Sequence, residues 1–141
     1  MLFGNGKTKR TIERILIVED EPLVAFDNEH FLRDAGYEVV ATVDNVPDAV
    51  GQIGRETLDL ILADVNLSAG GNGGDVARAA AEKGVPLIFV TGASPEAAAD
   101  LAVGLLAKPY TQRDLLATIE AVDAKLAGRK PKRVPRALKL F

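Results

Sequence analysis

The chain has 141 residues, 48% of them hydrophobic and 26% charged, with no cysteine and one histidine, His30. That is the size and composition of one domain with an ordinary core, and the missing thiols exclude disulfides, thiolate catalysis, iron–sulfur clusters and cysteine zinc sites. The net charge of -3 is the sum of an acidic body and two basic ends: residues 12–127 hold 8 Lys+Arg against 20 Asp+Glu, residues 1–11 add three cations and residues 128–141 add six.

The polar start, Met1–Arg10, has no apolar signal core, so export is not indicated and a cytoplasmic location is expected. Ile15-Leu16-Ile17-Val18 is an uninterrupted apolar run that stops at Glu19-Asp20-Glu21-Pro22. It reads as a strand buried on both faces and followed by an acidic turn. Pro22 suits the first turn of a helix, whose face would be Val24, Phe31, Leu32 and Ala35 before Gly36 stops it. His30 sits among charged residues and reads as a surface side chain. Glu38–Thr42 is strand-like, and Val46, Ala49, Val50 and Ile53 fall at helical spacing.

Leu58–Ala63 is a further buried strand, ending at Asp64. The glycine-rich stretch Ala69–Gly74 fits no phosphate-binding fingerprint and reads as a flexible loop before an alanine-rich helix from about Asp75 to Glu82. Pro86–Val90 is another buried strand, closed by Thr91. Ser94-Pro95-Glu96 has the chemistry of a helix start, with Ser as cap and Pro at the first position. Gly104–Ala107 is a short strand ending at Lys108-Pro109, and Thr111-x-x-Asp114 is a capping-box pattern. It opens a helix with Leu115, Ile119, Val122 and Leu126 on one face. Residues 128–141 carry prolines and cations and read as a solvated tail.

Five strands and five helices in strict alternation imply a doubly wound α/β fold around a parallel sheet. In such a sheet the residues after each strand share one edge, where ligands bind. Glu19, Asp20, Asp64, Thr91 and Lys108 should therefore converge. Clustered carboxylates resist ionising together, and Mg²⁺ relieves that through oxygen ligands. With Lys108 as a second positive charge, the cleft suits a phosphoryl group, with Asp64 as acceptor and Thr91 as hydrogen-bond donor.

The motifs Ile-Leu-Ile-Val-Glu-Asp-Glu-Pro (15–22), Leu-Ile-Leu-Ala-Asp-Val-Asn-Leu (60–67), Phe-Val-Thr-Gly-Ala (89–93) and Ala-Lys-Pro-Tyr (107–110) together resemble the receiver domains of bacterial two-component response regulators. The resemblance covers roughly Arg14 to Leu126. It implies a flavodoxin-like, five-stranded sheet of order 2-1-3-4-5, with a basic extension (1–11), a receiver domain (12–127) and a basic tail (128–141). It also implies that Asp64 is the phosphoacceptor, that Glu19 and Asp20 form the acid pocket, and that Asp20, Asp64 and the backbone carbonyl of Asn66 ligate Mg²⁺. Thr91 and Lys108 match the family's hydroxyl and lysine, and Pro109 its cis-proline. Position 105, where the family usually has Tyr or Phe, is Leu105. That feature and the Phe-Val-Thr-Gly-Ala motif resemble a subclass named for a Phe-Ala-Thr-Gly-Tyr motif, often stand-alone receivers in stress signalling.

The expected partners are a sensor histidine kinase and a downstream protein or phosphotransferase. The expected activity is phosphoacceptance and self-dephosphorylation, not turnover of an external substrate. A receiver-like adaptor that is never phosphorylated is the alternative. The acidic body argues against nucleic-acid binding and the lack of an apolar span against a membrane role. With Leu105 in place of a ring, readout is expected to come from movement of the fourth helix and the loop after Thr91.

Overall fold

The computed structural model describes residues 10–67, 71–92 and 98–141. Five parallel strands, β1 (Arg14–Val18), β2 (Glu38–Val43), β3 (Leu60–Ala63), β4 (Leu87–Thr91) and β5 (Gly104–Ala107), form a sheet that a sixth, β6 (Leu138–Leu140), extends. The order is β2-β1-β3-β4-β5-β6, with β6 antiparallel to β5. Four helices of ten or more residues connect the strands: α1 (Pro22–Asp34), α2 (Val46–Arg55), α3 (Gly73–Lys83) and α5 (Gln112–Leu126). Between β4 and β5 lies α4 (Ala98–Leu101), a single turn.

The apolar runs form central strands because both sheet faces are covered. Ile15, Ile17, Leu60, Leu62, Ile88, Val90 and Leu106 pack under α1 and α5 with Leu32, Leu115, Ile119 and Val122. Their neighbours in sequence, Leu16, Val18, Ile61, Ala63, Leu87, Phe89 and Leu105, pack under α2 and α3 with Ala49, Ile53, Val76, Ala77 and Ala80. Alternation along each strand thus sends consecutive side chains to opposite cores, each large one contributing about 1.5–3 kcal/mol. Capping fixes the helix starts. Asn45 accepts from the amide of Asp48, Asn72 from that of Gly74, and Thr111 and Asp114 complete the capping box. Gly36, with φ of 93°, takes the left-handed conformation that follows α1.

Several expectations change. The sheet has six strands where five were expected, because residues 128–141 do not form a solvated tail throughout. The amide of Ala107 donates to the carbonyl of Ala137 at 2.8 Å and that of Phe141 to Val103 at 3.0 Å. Leu138 is buried in the α1/α5 core and Phe141 packs against the other. Helix α3 begins at Gly73 rather than about Asp75, since Asn72 supplies a cap inside the glycine run. Leu126 and Val50 face solvent, because their helices bury stripes narrower than the spacing suggested. Ser94-Pro95-Glu96 and the first part of the glycine-rich stretch lie outside the described residues.

Gly104 makes the β5–β6 pairing possible. A Cβ there would lie 3.0 Å from the carbonyl oxygen of Lys139 and 3.4 Å from Leu140. Truncation after Arg136 removes β6 and the buried Leu138, and is expected to lower unfolding free energy by about 1–3 kcal/mol in urea titrations. The same truncation should accelerate hydrogen exchange at the Ala107 amide. Unchanged stability and unchanged exchange would show that β6 adds nothing to the sheet.

Candidate functional site

Glu19, Asp64 and Lys108 each directly follow a strand and Thr91 closes one, so the sheet's own hydrogen bonds carry them into place. The amide of Glu19 donates to Val43, that of Asp64 to Val18 and that of Lys108 to Thr91, each at 2.9 Å. The ladder therefore runs one residue past the carboxyl ends of β1, β3 and β5, and brings Glu19, Asp64, Thr91 and Lys108 to one edge with Asp20 beside them. Asp64 is 6% exposed, Glu19 5% and Thr91 1%.

Lys108 is the hub. Its Nζ lies 3.0 Å from Asp64 Oδ2, 3.2 Å from Glu19 Oε1 and 3.2 Å from Glu21 Oε1. The second oxygens are also held: Asp64 Oδ1 accepts from the amide of Asn66 at 3.0 Å, and Glu19 Oε2 from that of Glu21 at 3.1 Å. Burial pushes Glu19 above the usual carboxylate range, and the nearby charge of Asp64 adds to this. The Glu21 amide and Lys108 offset it only in part. Burial pulls Lys108 down, but its hydrogen bonds to Asp64 and Glu21 and the charges of Glu19 and Asp64 more than reverse this, so the ammonium is held more firmly than in water.

One ammonium thus faces a dense set of carboxylates. Oxygens of Glu19, Asp20 and Asp64 all lie within 4.8 Å of one another. Two of the three are buried, and the donors are all hard oxygens, the set a small divalent cation prefers. The residues present therefore fit Mg²⁺. The Lys108–Pro109 peptide is cis. Leu105 is buried on the α2/α3 side of the sheet.

Three residues at the site were missed or misread from sequence. Glu21 is a third carboxylate on Lys108, visible in sequence only as part of an acidic turn. Gly73, read as part of a loop, lies directly on the backbone of Asp64 and Val65. Its amide donates to the Val65 carbonyl at 2.8 Å, and a Cβ would overlap the Asp64 carbonyl oxygen and lie 2.8 Å from Val65 Cα. Asn28, polar on a helix face that should be apolar, is buried and donates to the Tyr110 hydroxyl at 2.8 Å, tying α1 to the segment after Lys108. Burial raises the Tyr110 phenol above its usual value, against the pull of that hydrogen bond.

An acid cluster and a lysine at the carboxyl edge of a doubly wound sheet define a class of signalling domain. Residues 15–120 match the family model of the response regulator receiver domain, and the chain belongs to that family, which serves two-component signalling. Among curated relatives it is 37% identical to the sensory transduction protein RegX3 of Mycobacterium tuberculosis over 116 residues, covering 77% of this chain and 49% of the relative. It is 35% identical to the phyllosphere-induced regulator PhyR of Methylorubrum extorquens over 116 residues, covering 74% and 41%. The chain thus spans about half the length of the curated relatives it matches. Among solved structures, a CheY-like receiver domain protein from Methanospirillum hungatei JF-1 superposes with a TM-score of 0.74 at 26% identity, covering 84% of this chain and 98% of the other. No helix among the described residues is long and apolar enough to cross a membrane.

The packing of Gly73 has a measurable consequence. Gly73→Ala must push the Asp64–Val65 backbone away, and is expected to cost at least about 2 kcal/mol of stability and to shift the Asp64 and Asn66 amide resonances. Gly54→Ala is the matched control, since nothing lies within 4 Å of a Cβ there; in helix α2 it should be neutral or stabilising by up to about 1 kcal/mol. Equal stabilities of the two variants would show that the glycine does not position Asp64.

Proposed function

We propose that the domain accepts a phosphoryl group on Asp64 from the phosphohistidine of a sensor histidine kinase, and signals by altered protein–protein binding or by passing the phosphoryl group on. The observation that carries this reading is the 3.0 Å contact between Lys108 Nζ and Asp64 Oδ2 inside the carboxylate cluster. An oxygen of Asp64 attacks phosphorus, forming the acyl phosphate, while the phosphorus–nitrogen bond breaks and its electron pair stays on the imidazole, which takes up a proton. Glu19, Asp20, Asp64 and the backbone carbonyl of Asn66 would hold Mg²⁺, which supplies neutralising charge for the phosphoryl oxygens when bound.

Lys108 has two tasks. Before transfer it fixes one oxygen of Asp64 and screens its neighbours. After transfer its ammonium is drawn to the added charge of the phosphoryl group, roughly -1.5 to -2. The hydroxyl of Thr91 then donates to a phosphoryl oxygen. Leu105 provides no ring to report the change, so Thr91 and α4 carry it by shifting. The motif at 89–93 and Leu105 favour the stress-type subclass of stand-alone receivers.

Two measurements test the reading. With a small phosphodonor and Mg²⁺, mass spectrometry should show the gain of one phosphoryl group in the natural chain and none in Asp64→Asn. Uptake at an undiminished rate in Asp64→Asn would contradict the assignment. For the cation, free Mg²⁺ at about 100 times its Kd should add roughly 2.7 kcal/mol to unfolding free energy. Asp20→Ala should lose most of that gain; an undiminished gain would place the cation elsewhere.

A further inference from the structure

At the opposite edge of the sheet lies a second charged concavity, of reversed sign. It is a basin of about 530 Å³ between the segment before β1, the turn before β2, the last turns of α5 and the chain that follows α5. Arg10, Arg129, Lys130, Lys132 and Arg133 line it, against two carboxylates, Glu120 and Asp123. Asp123 is buried and already engaged: its oxygens accept from the amides of Thr11 and Ile12 and from the Thr11 hydroxyl. That leaves Glu120 as the one carboxylate of the lining without such donors.

The cations are mostly uncommitted. Arg133 pairs with Asp114 at 3.4 Å and Arg10 with Glu13 at 3.3 Å. Among the described residues, no carboxylate lies within ion-pair distance of Arg129, Lys130 or Lys132, although residues 12–127 carry 20 acidic groups. Arg10 is held in advance of any ligand, lying 4.1 Å from the centre of the Tyr37 ring and donating to the Gly36 carbonyl at 2.6 Å. Cations gathered on a concave wall raise the local potential and attract a compact anion. Arginine forks and lysine ammonium groups together match phosphate oxygens.

We propose that this basin binds an oligophosphate group, carried by a nucleoside polyphosphate or by a free inorganic chain. Its volume is in the range of small-ligand sites, which run from about 300 to 1,000 Å³. A nucleic acid needs cations laid out along an extended track, whereas four of these sit within residues 129–133 and Arg10 closes the basin from the segment before β1. Beyond the basin the body has a charge of -12 and repels a longer polyanion. A protein partner would want an apolar centre, but Ala121 and Ala124 on the basin wall are buried.

The test is titration of the full chain with tripolyphosphate and, separately, with ATP, without Mg²⁺, followed by calorimetry and backbone amide shifts. Saturable one-to-one binding is expected, with shifts at Tyr37, Ala121 and Ala124 and none at Asp64–Asn66. Charge reversal at two exposed positions, Lys130→Glu with Lys132→Glu, should weaken binding by at least about tenfold, and Arg129→Glu provides an independent variant. Asp64→Asn should bind as the natural chain does. Tighter binding of ATP assigns a nucleoside carrier, and equal binding assigns the bare chain; either supports the site. Failure of both to saturate, undiminished affinity in the charge-reversed variants, or single-stranded oligonucleotides whose affinity grows with length would overturn it.

Discussion

The structure depends at its working edge on a single ammonium. Two strands, β1 and β3, deliver carboxylates to one point where β5 delivers the lysine, and backbone hydrogen bonds hold them there. Lys108 reaches Glu19, Glu21 and Asp64 at once. Without a positive charge there, burial and mutual repulsion would force carboxylates to take up protons or the loops to part. A cation-hungry cluster that is only partly satisfied by its lysine is also poised to take more positive charge, and then a phosphoryl group that shares it. The same arrangement thus accounts for the divalent-cation fit and for the hold on Asp64.

The core and the site edge were legible in the sequence because both follow from one signal. Short unalternating apolar runs such as Leu60–Ala63, set between helical patterns, read as strands covered on two faces, and the polar residue that ends each run marks the common edge. What escaped lacked such a signal. The strand Leu138-Lys139-Leu140 is too short to show a period and is surrounded by cations; it forms because β5 offers an open edge and Gly104 leaves room for it. Gly73 was misread because glycines mark loops and close backbone approaches alike, and only the structure places it on Asp64. Asn28 carries no signal in the sequence, because its partner Tyr110 lies 82 residues away along the chain.

Charge is segregated by edge. The carboxyl ends of the strands gather acids around a lysine, while the amino ends face a basin rich in cations contributed by the segments outside the receiver core. The chain after α5 serves both architecture and charge: its first residues line the basin, and its last ones extend the sheet beside the strand that leads into Lys108. Any event that displaces β5 is therefore felt by β6 through direct backbone hydrogen bonds, and changes at the two edges share a mechanical neighbour.

If Lys108 is what permits the carboxylates to converge, the pH dependence of stability must change in Lys108→Met. Glu19 has a folded-state pKa above its unfolded value, so its charge opposes folding at neutral pH and that opposition fades as pH falls through the folded value. Losing the ammonium should deepen the effect. In metal-free buffer the variant is expected to be less stable than the natural chain by on the order of 2 kcal/mol near neutrality, with the deficit shrinking towards about pH 4 as the carboxylates protonate. A deficit that stays constant across that range, or none at all, would contradict the account.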